Sequence, residues 1–220
     1  MKMKSKMGVL ALALAASWGT AQANSLTFNQ TVSPVDTLMS APAGTLLDSL
    51  SSIVTTPTFT GTLRTAVYDG PEAGINLDFY YQFTNSQASQ NSIGRVTGFD
   101  FGTFATNVFQ TAQAFGIFQS GNVSAVTADR DSLGTIGFNM QPVGDHEKLS
   151  PGMTSDTFIV RTAATTYQPG WSGVIDGTAG YAPAFQPAVP EPETNALIAA
   201  GLGLMGFIVR RRTKREKLRA

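Results

Sequence analysis

The sequence predicts an all-β fold, a single antiparallel β-sandwich over residues 24–188, and three observations carry this prediction. From Pro57 onward, apolar residues recur at every second position, which is the period of a strand with one buried face. About eight short segments of this kind follow one another at spacings of roughly 10–15 residues, separated by turns rich in Gly, Asn and Pro. The same stretch contains no segment with the amphipathic period of a helix.

The clearest strand is predicted at residues 75–84, where two kinds of side chain alternate. One face carries only apolar or aromatic residues, which are Ile75, Leu77, Phe79, Tyr81 and Phe83. The other face carries Asn76, Asp78, Tyr80, Gln82 and Thr84. We therefore expect the first face to be buried and the second to face water.

The other predicted strands are bounded by turn residues. A strand over 58–68 ends at a turn that contains Asp69, Gly70 and Pro71. Residues 45–54 fit either a helical turn or a strand. Further strands are predicted at 25–32, 94–101, 114–118, 123–128, 135–140, 157–162 and 173–176.

The inward-facing residues of these strands form the predicted core. The chain contains no cysteine, so no disulfide supports the fold and the core alone must stabilise it. The residues expected in this core are Phe59, Leu63, Val67, Leu77, Phe79, Tyr81, Phe83, Phe99, Phe101, Phe138, Phe158 and Val160.

Residues 1–23 have the three regions of a secretory signal peptide. Lys2, Lys4 and Lys6 form a basic start, and residues 8–16 form a short apolar run. Ala21 and Ala23 form a small-residue cleavage site for signal peptidase, which predicts a mature N-terminus at Asn24. An uncleaved membrane anchor is the alternative interpretation.

Residues 189–220 form a second segment outside the β-sandwich. Pro190, Glu191 and Pro192 precede an apolar run over 195–209, and a basic tail over 210–220 follows it. A transmembrane helix over about residues 194–209 would span about 24 Å, against a hydrocarbon core of about 30 Å. Arg210, Arg211 and Arg212 are expected to stop translocation and to keep the C-terminus in the cytoplasm. The alternative is a core helix of a soluble domain.

This order of a Pro-Glu-Pro triplet, a short apolar span and an arginine-rich end resembles the PEP-CTERM sorting signal of exopolysaccharide-producing Gram-negative bacteria. The resemblance implies that an exosortase, an integral membrane cysteine protease, recognises and cleaves the tail during export. It also implies that the protein is first anchored in the inner membrane and then reaches the cell surface or the extracellular space. The segments 60–68 and 77–85 are similar to the β-rich ectodomains common among such proteins, and this similarity implies no activity.

Charge is distributed unevenly along a chain whose formal net charge is zero. Residues 24–193 contain five basic and fourteen acidic side chains, a net charge of −9, whereas residues 194–220 contain seven basic side chains and one acidic. An ectodomain this acidic would be repelled by nucleic acid and by anionic lipid, so we exclude both as partners of that domain.

The sequence contains no motif that specifies catalysis, a metal or a cofactor. His146 is the only histidine, and no second imidazole or thiolate accompanies it as a metal ligand. Asp129 and Asp131, with Asp145 or Glu147, form a weak alternative as a calcium site, but they lack the pattern of an EF-hand loop. The glycines of residues 201–206 match a nucleotide-binding spacing only inside the apolar run, where no strand precedes them. We therefore predict no enzyme, no metal and no cofactor.

Four aromatic residues, Tyr80, Tyr167, Trp171 and Tyr181, are candidates for a surface that stacks against sugar rings. The alternative is that these rings cover part of the core, as Tyr and Trp commonly do.

Two hypotheses for function follow. The first is an exported, non-catalytic protein of the cell surface or extracellular matrix, with signal peptidase and exosortase as processing partners and the membrane bound through the C-terminal helix. The second is an exported glycan-binding module or a small glycan-active enzyme, with exopolysaccharide as its partner. An enzyme that cleaves glycosides requires two carboxylates across a cleft, which the sequence does not reveal.

Overall fold

The computed structural model describes residues 24–37, 44–70, 76–140 and 148–188, together with residues 197–198, 200–202 and 204–205. The described residues between 24 and 188 lie mostly in β-strands, which confirms the predicted β-rich fold. The strands are β1 Asn24–Ser25, β2 Gln30–Val32, β3 Val35–Asp36, β4 Leu46–Thr55, β5 Thr60–Asp69, β6 Leu77–Asn85, β7 Arg95–Gly98, β8 Thr106–Thr111, β9 Thr127–Arg130, β10 Ile136–Asn139, β11 Thr157–Thr162, β12 Tyr167–Ile175 and β13 Ala179–Pro187.

The strands form two sheets. A seven-stranded sheet has the order β1-β8-β11-β6-β5-β4, with β3 also paired to β8, and a six-stranded sheet has the order β13-β12-β7-β10-β9-β2. The pairings between named strands are antiparallel except that of β3 with β8, which is parallel and modifies the predicted antiparallel arrangement. The short β3 pairs with Phe109 and Gln110 of β8, directly after the two positions of β8 that pair with β1.

The two sheets lie face to face around one core. Phe138 of the six-stranded sheet stacks on Phe158 of the seven-stranded sheet, with 4.6 Å between ring centroids. The Tyr81 hydroxyl crosses the same interior and donates a hydrogen bond of 2.9 Å to the carbonyl oxygen of Phe185. Burial of so many large side chains from both sheets is the main stabilising contribution to a fold without disulfides.

The predicted core is confirmed except at one position. Eleven of the twelve expected residues are buried, and Phe79, Phe83 and Phe158 are each 0% exposed. The prediction for Phe99 is wrong: this side chain is half-buried on the outer side of the six-stranded sheet, where its ring packs against Tyr181. Along β7, Val96 and Gly98 face the core, so Phe99 keeps the outward direction of Arg95 and Thr97, whereas Phe101 is buried because the chain leaves the strand after Gly98.

The expectation of a wet outer face on β6 is also wrong. Asp78 and Tyr80 are each 1% exposed and Gln82 is 0% exposed. A second apolar cluster covers this face, built from Ala66, Tyr68, Tyr80, Phe109, Phe118 and Ile159, with Val35, Phe115 and Ile117 packed against it. The cover includes the segment after β8, where Phe115 and Phe118 fold back over the sheet.

Several predicted strand boundaries change. Residues 114–118 form a turn closed by the bridge between Phe115 and Phe118, and the predicted strand there is wrong because these rings cap the neighbouring sheet. Residues 45–54 resolve as the strand β4. Two strands, β8 and β13, were not predicted. Proline disfavours a strand inside a sheet, but Pro183 and Pro187 are tolerated because β13 lies at the edge of its sheet.

Candidate functional site

The residues predicted to direct sorting lie mostly outside the described part of the chain. This applies to Pro190, Glu191 and Pro192, to Arg210, Arg211 and Arg212, and to the cleavage-site residues Ala21 and Ala23. The described residues between 197 and 205 are helical, and their large apolar side chains are exposed: Leu197, Ile198, Leu202, Leu204 and Met205.

No helix among the described residues has both the length and the apolar character needed to cross a membrane. Within the predicted span over residues 194–209, only residues 197–198, 200–202 and 204–205 are described. The transmembrane helix therefore stays a prediction.

Within the β-sandwich, the most distinctive surface lies on the outer face of the six-stranded sheet. Trp171 of β12 is 56% exposed and Tyr181 of β13 is 58% exposed. Phe99 supports Tyr181 from behind, with 6.0 Å between ring centroids and 40° between the ring planes. We call the surface formed by Phe99, Trp171, Gly173 and Tyr181 the aromatic face.

The alternation of β12 and β13 puts these rings on one side. On β13 the inward residues Gly180, Ala182 and Ala184 are small and buried, which lets this edge strand pack closely on the opposite sheet. A Cβ at Gly180 would lie 2.5 Å from Cγ1 of Val54, so a larger residue would push the strand away. Tyr181 lies between Gly180 and Ala182 in the strand, so its side chain points to the opposite face and meets solvent.

Gly173 forms the floor of the aromatic face. It lies directly opposite Tyr181 on β13 and opposite Thr97 on β7. A Cβ at this position would lie 2.7 Å from the Thr97 hydroxyl oxygen and 3.3 Å from the rings of both Phe99 and Tyr181. Gly173 is buried beneath these groups, so the missing side chain lets the Tyr181 ring lie close against the sheet. The sequence did not indicate this role of Gly173 or of Phe99.

A polar cluster occupies the other half of the same sheet face. Arg95 donates a hydrogen bond of 2.7 Å from Nη2 to Oδ1 of Asp129, and its Nη1 also contacts the Asp129 carboxylate and Oδ1 of Asn139. Burial raises the pKa of Asp129, but the hydrogen bonds from Arg95 and Asn139 and the Arg95 charge outweigh it, so the pKa lies below its ordinary value. Register places Arg95 two residues from Thr97, on the same face as Gly173.

The alternative calcium site is not assembled among the described residues. The Asp129 carboxylate is engaged by Arg95 and Asn139, and Asp131 instead accepts backbone hydrogen bonds of 2.8 Å from both Leu133 and Thr135. Asp145, His146 and Glu147 lie outside the described residues. In the described segments, no group of three or more His, Cys, Asp or Glu side chains is placed to hold a metal ion.

Two of the four aromatic residues that were candidates for stacking against sugar rings are not exposed enough to do so. Tyr80 is buried beneath the second apolar cluster, so its inclusion in the exposed set is wrong. Tyr167 packs partly into the core and meets Phe185 edge to face at 5.8 Å. Trp171 and Tyr181 alone are strongly exposed, and the structure brings them to neighbouring strands.

Arg130, between the two aspartates, has a structural role that the sequence did not indicate. It is 3% exposed and donates to the carbonyl oxygens of Leu26, Phe101, Gly102 and Phe104. Burial lowers the pKa of this guanidinium, and the Asp131 charge raises it by less. Arg130 therefore ties β9 to the loop before β8 rather than contributing to a binding surface.

A pocket of about 210 Å³ lies at the turn between β4 and β5. Threonine hydroxyls and the side chain of Ser89 line much of it, and its lining contains no carboxylate or imidazole. Beside it, the Thr58 hydroxyl donates to Asp176 at 2.7 Å, which ties this turn to the end of β12.

Comparison with known proteins gives one match. The family model described as the PEP-CTERM protein-sorting motif matches residues 188–212, a range that includes the Pro-Glu-Pro triplet, the apolar run and the three arginines. The resemblance seen in the sequence is thereby confirmed. Neither a curated protein nor a solved structure matches the chain.

Proposed function

The chain carries a PEP-CTERM protein-sorting motif, and from this we propose that it is an exported, non-catalytic protein of the cell surface or extracellular matrix. An exosortase-type membrane protease recognises the tail and removes it, after signal peptidase has cut behind Ala23. The match at residues 188–212 is the observation that carries the proposal.

The physical chemistry of the tail supports this route. Moving an arginine to the bilayer centre costs about 2.5–3.5 kcal/mol on insertion scales, so Arg210, Arg211 and Arg212 act as a stop. The triplet of Pro190, Glu191 and Pro192 then lies at the outer face of the inner membrane, and its prolines keep it out of the helix. An extended segment of this kind is accessible to a protease embedded in the membrane.

Four of the described carboxylates are engaged in ion pairs or hydrogen bonds, and this supports a non-catalytic role. Asp78 pairs with Arg161, and Asp129 pairs with Arg95. Asp156 accepts a hydrogen bond of 2.8 Å from Ser124, and Asp176 accepts one from Thr58. These groups hold strands and turns together, and none of them lines the pocket at the β4–β5 turn.

Substitutions in the tail test the proposal. Replacing Arg210, Arg211 and Arg212 by Ser should weaken retention and let unprocessed chain pass through the membrane. Glu191→Ala should leave insertion intact and slow removal of the tail, so that a membrane-bound precursor accumulates. Glu193→Ala is the matched control, because it removes a carboxylate just outside the triplet. Immunoblots of membrane and medium fractions separate these outcomes, and identical processing of all variants and the parent would contradict exosortase sorting.

A second candidate function is glycan binding at the aromatic face. Pyranose rings have an apolar face that stacks on aromatic rings, and Trp171 and Tyr181 are more than half exposed on the same face of two neighbouring strands. The Arg95 cluster supplies hydrogen-bonding groups on the same sheet face. This candidate is compatible with the first, since a matrix protein that binds polysaccharide needs no catalytic group.

Binding to the polysaccharide of the producing cell tests this candidate. Trp171→Ala and Tyr181→Ala should each reduce retention of the protein by immobilised polysaccharide. Leu133→Ala is the control, because Leu133 is 79% exposed but lies away from the aromatic face. Equal retention of all three variants would exclude the aromatic face as a glycan site, and cleavage of the polysaccharide would contradict the non-catalytic proposal.

A further inference from the structure

The edges of the two sheets differ in how well they are protected against pairing with another strand. An edge strand exposes unpaired backbone N–H and C=O groups, and proteins protect such edges with short strands, prolines, charged residues or bulges. In the seven-stranded sheet the edges are β1 and β4, and in the six-stranded sheet they are β13 and β2. The strands β1 and β2 have two and three residues, and β13 contains Pro183 and Pro187.

The strand β4 has little of this protection. It has ten residues and contains no proline, lysine or arginine, and among the described residues it pairs on one side only, with β5. Its one charged residue is Asp48. The register shifts between Leu46 and Asp48, so the irregularity lies at the N-terminal end of the strand. The remaining stretch, residues 49–55, continues in regular register to the end of the strand.

The hydrogen-bond phase of β4 identifies which backbone groups are free. The amide of Thr56 donates to the carbonyl oxygen of Phe59 at 2.8 Å, so Thr56 belongs to a hydrogen-bonded pair of the β4–β5 ladder. Pairs of this kind alternate along an antiparallel ladder. The even-numbered residues of this stretch therefore bond to β5, and the N–H and C=O groups of Ser49, Ser51, Ile53 and Thr55 point away from β5. Of these groups, the Ser49 amide is engaged locally, because it donates a hydrogen bond of 2.7 Å to Oδ1 of Asp48.

The side chains of the same residues are also exposed. The even-numbered Leu50 and Val54 point inward, with Val54 1% exposed and Leu50 packed against the core. Within the regular stretch the odd-numbered side chains point outward, and Ile53 is 71% exposed; Leu47, inside the irregularity, is 43% exposed. Exposed apolar residues thus stand at both ends of the edge, with Ser49 and Ser51 between them.

We propose that β4 pairs with β4 of a second copy of this chain, antiparallel and about a two-fold axis at Leu50. In this register Leu47 lies opposite Ile53 of the partner strand, and Ser49 lies opposite Ser51. Each central pair joins residues whose backbone groups point away from β5. In each pair the Ser51 amide donates to the Ser49 carbonyl oxygen, and the Ser49 amide, which donates to Asp48 Oδ1 within its own chain, exchanges that acceptor for the Ser51 carbonyl oxygen. A register shifted by two residues puts Ile53 opposite Ser49 in one direction and Leu47 opposite Ser51 in the other, and each of these pairs matches an apolar with a polar side chain.

The inward-facing side chains of the two β4 strands are also compatible with this register. Leu50 would meet Leu50 of the second copy at the axis, continuing the apolar layer that it already joins. Asp48 would lie opposite Ser52, whose hydroxyl can donate to a carboxylate. The single charge of β4 is therefore placed opposite a hydrogen-bond donor rather than opposite a like charge, as cross-strand pairing requires. The result is a closed two-fold dimer with one continuous sheet.

Disulfide formation between two single-cysteine variants tests both the contact and its register. The chain has no cysteine of its own, so Ser49→Cys and Ser51→Cys each introduce one thiol. Opposed residues in the proposed register have Cα atoms about 5.5 Å apart, within the range that a disulfide bridges. Identical residues of the two strands would be about 9 Å apart, which is too far. Differently tagged full-length variants in mild detergent should therefore form a mixed disulfide when combined, and little of either homodimer.

Variants that leave the β4–β5 ladder intact complete the test. Ser51→Pro removes an amide that faces away from β5, and Ile53→Lys places a charge on the free edge. Ser51→Pro, introduced into the Ser49→Cys chain, and Ile53→Lys, introduced into both cysteine variants, should each reduce the mixed disulfide at least fivefold, whereas Leu133→Lys should not change it. Circular dichroism checks that each variant is folded. Absence of the mixed disulfide, equal cross-linking by Ser51→Cys alone, or cross-linking unaffected by Ile53→Lys would overturn the proposal.

Discussion

The ion pair between Asp78 and Arg161 offers a quantitative test of the covered outer face of β6. The two residues lie directly opposite each other on β6 and β11. Arg161 donates hydrogen bonds of 2.8 Å from Nε and 2.7 Å from Nη2 to the two carboxylate oxygens. The hydrogen bonds to Asp78 raise the pKa of the guanidinium more than its burial lowers it.

The two partners are buried to different extents, and this difference sets the expected magnitudes. The side chain of Asp78 is 2% exposed, whereas that of Arg161 is 28% exposed. Arg161→Met leaves the carboxylate without a partner and without water, and breaking a buried pair in this way costs about 3–5 kcal/mol. Asp78→Asn keeps the side-chain volume and one acceptor, and the half-buried guanidinium retains some water, so we expect about 2 kcal/mol.

Denaturant unfolding followed by circular dichroism measures both changes. The double variant should be less destabilised than the sum of the single variants by at least about 1 kcal/mol, because neither charge is then left alone. A loss of less than about 1 kcal/mol for Arg161→Met would refute the reasoning, since it would mean that water reaches the carboxylate. A larger loss for Asp78→Asn than for Arg161→Met would contradict the assigned difference in burial.

Three further predictions concern stability. Phe79→Ala removes a fully buried ring whose centroid lies 5.6 Å from that of Phe101, and it should lower the free energy of unfolding by about 3–5 kcal/mol in urea titration. The lowered pKa of Asp129 means that its stabilisation is present above its unfolded value of about 3.9 and is lost as pH falls through the folded value. In the Asp129→Asn variant, the free energy of unfolding should therefore fall less steeply as the pH drops below about 4. An equal pH dependence of the free energy of unfolding in variant and parent would contradict this. Arg130→Lys keeps the positive charge but loses the planar set of N–H donors of the guanidinium. Calorimetry should therefore show a midpoint of thermal unfolding that is lower by about 6–12 °C.

The central strands illustrate what could be predicted from local pattern. Phe79, Tyr81 and Phe83 alternate with polar residues, and a period of two assigns them to one face of a strand whatever the neighbouring strands are. The same pattern could not show that Tyr80 and Gln82 are covered, because the cover comes from the segment after β8. Sequence alternation separates two faces, but long-range packing decides whether the second face meets water.

The candidate surfaces depended still more on tertiary structure. The aromatic face requires that Phe99, Gly173 and Tyr181 come together from three parts of the chain, which follows from the pairing of β12 with both β7 and β13. The exposed edge of β4 depends on its place at the end of the sheet order, and the sequence left this segment between a helical turn and a strand.

The sequence by itself determined the sorting motif, the β-rich character of the fold and most of its core. These features are local: a short linear signal is read in chain order, and burial of alternate residues follows from the geometry of one strand. The structure alone decided which strands are neighbours, and hence the second apolar cluster, the pairing of Arg95 with Asp129, the aromatic face and the free edge of β4. Such features depend on contacts between residues far apart in the chain, whose register no single segment specifies.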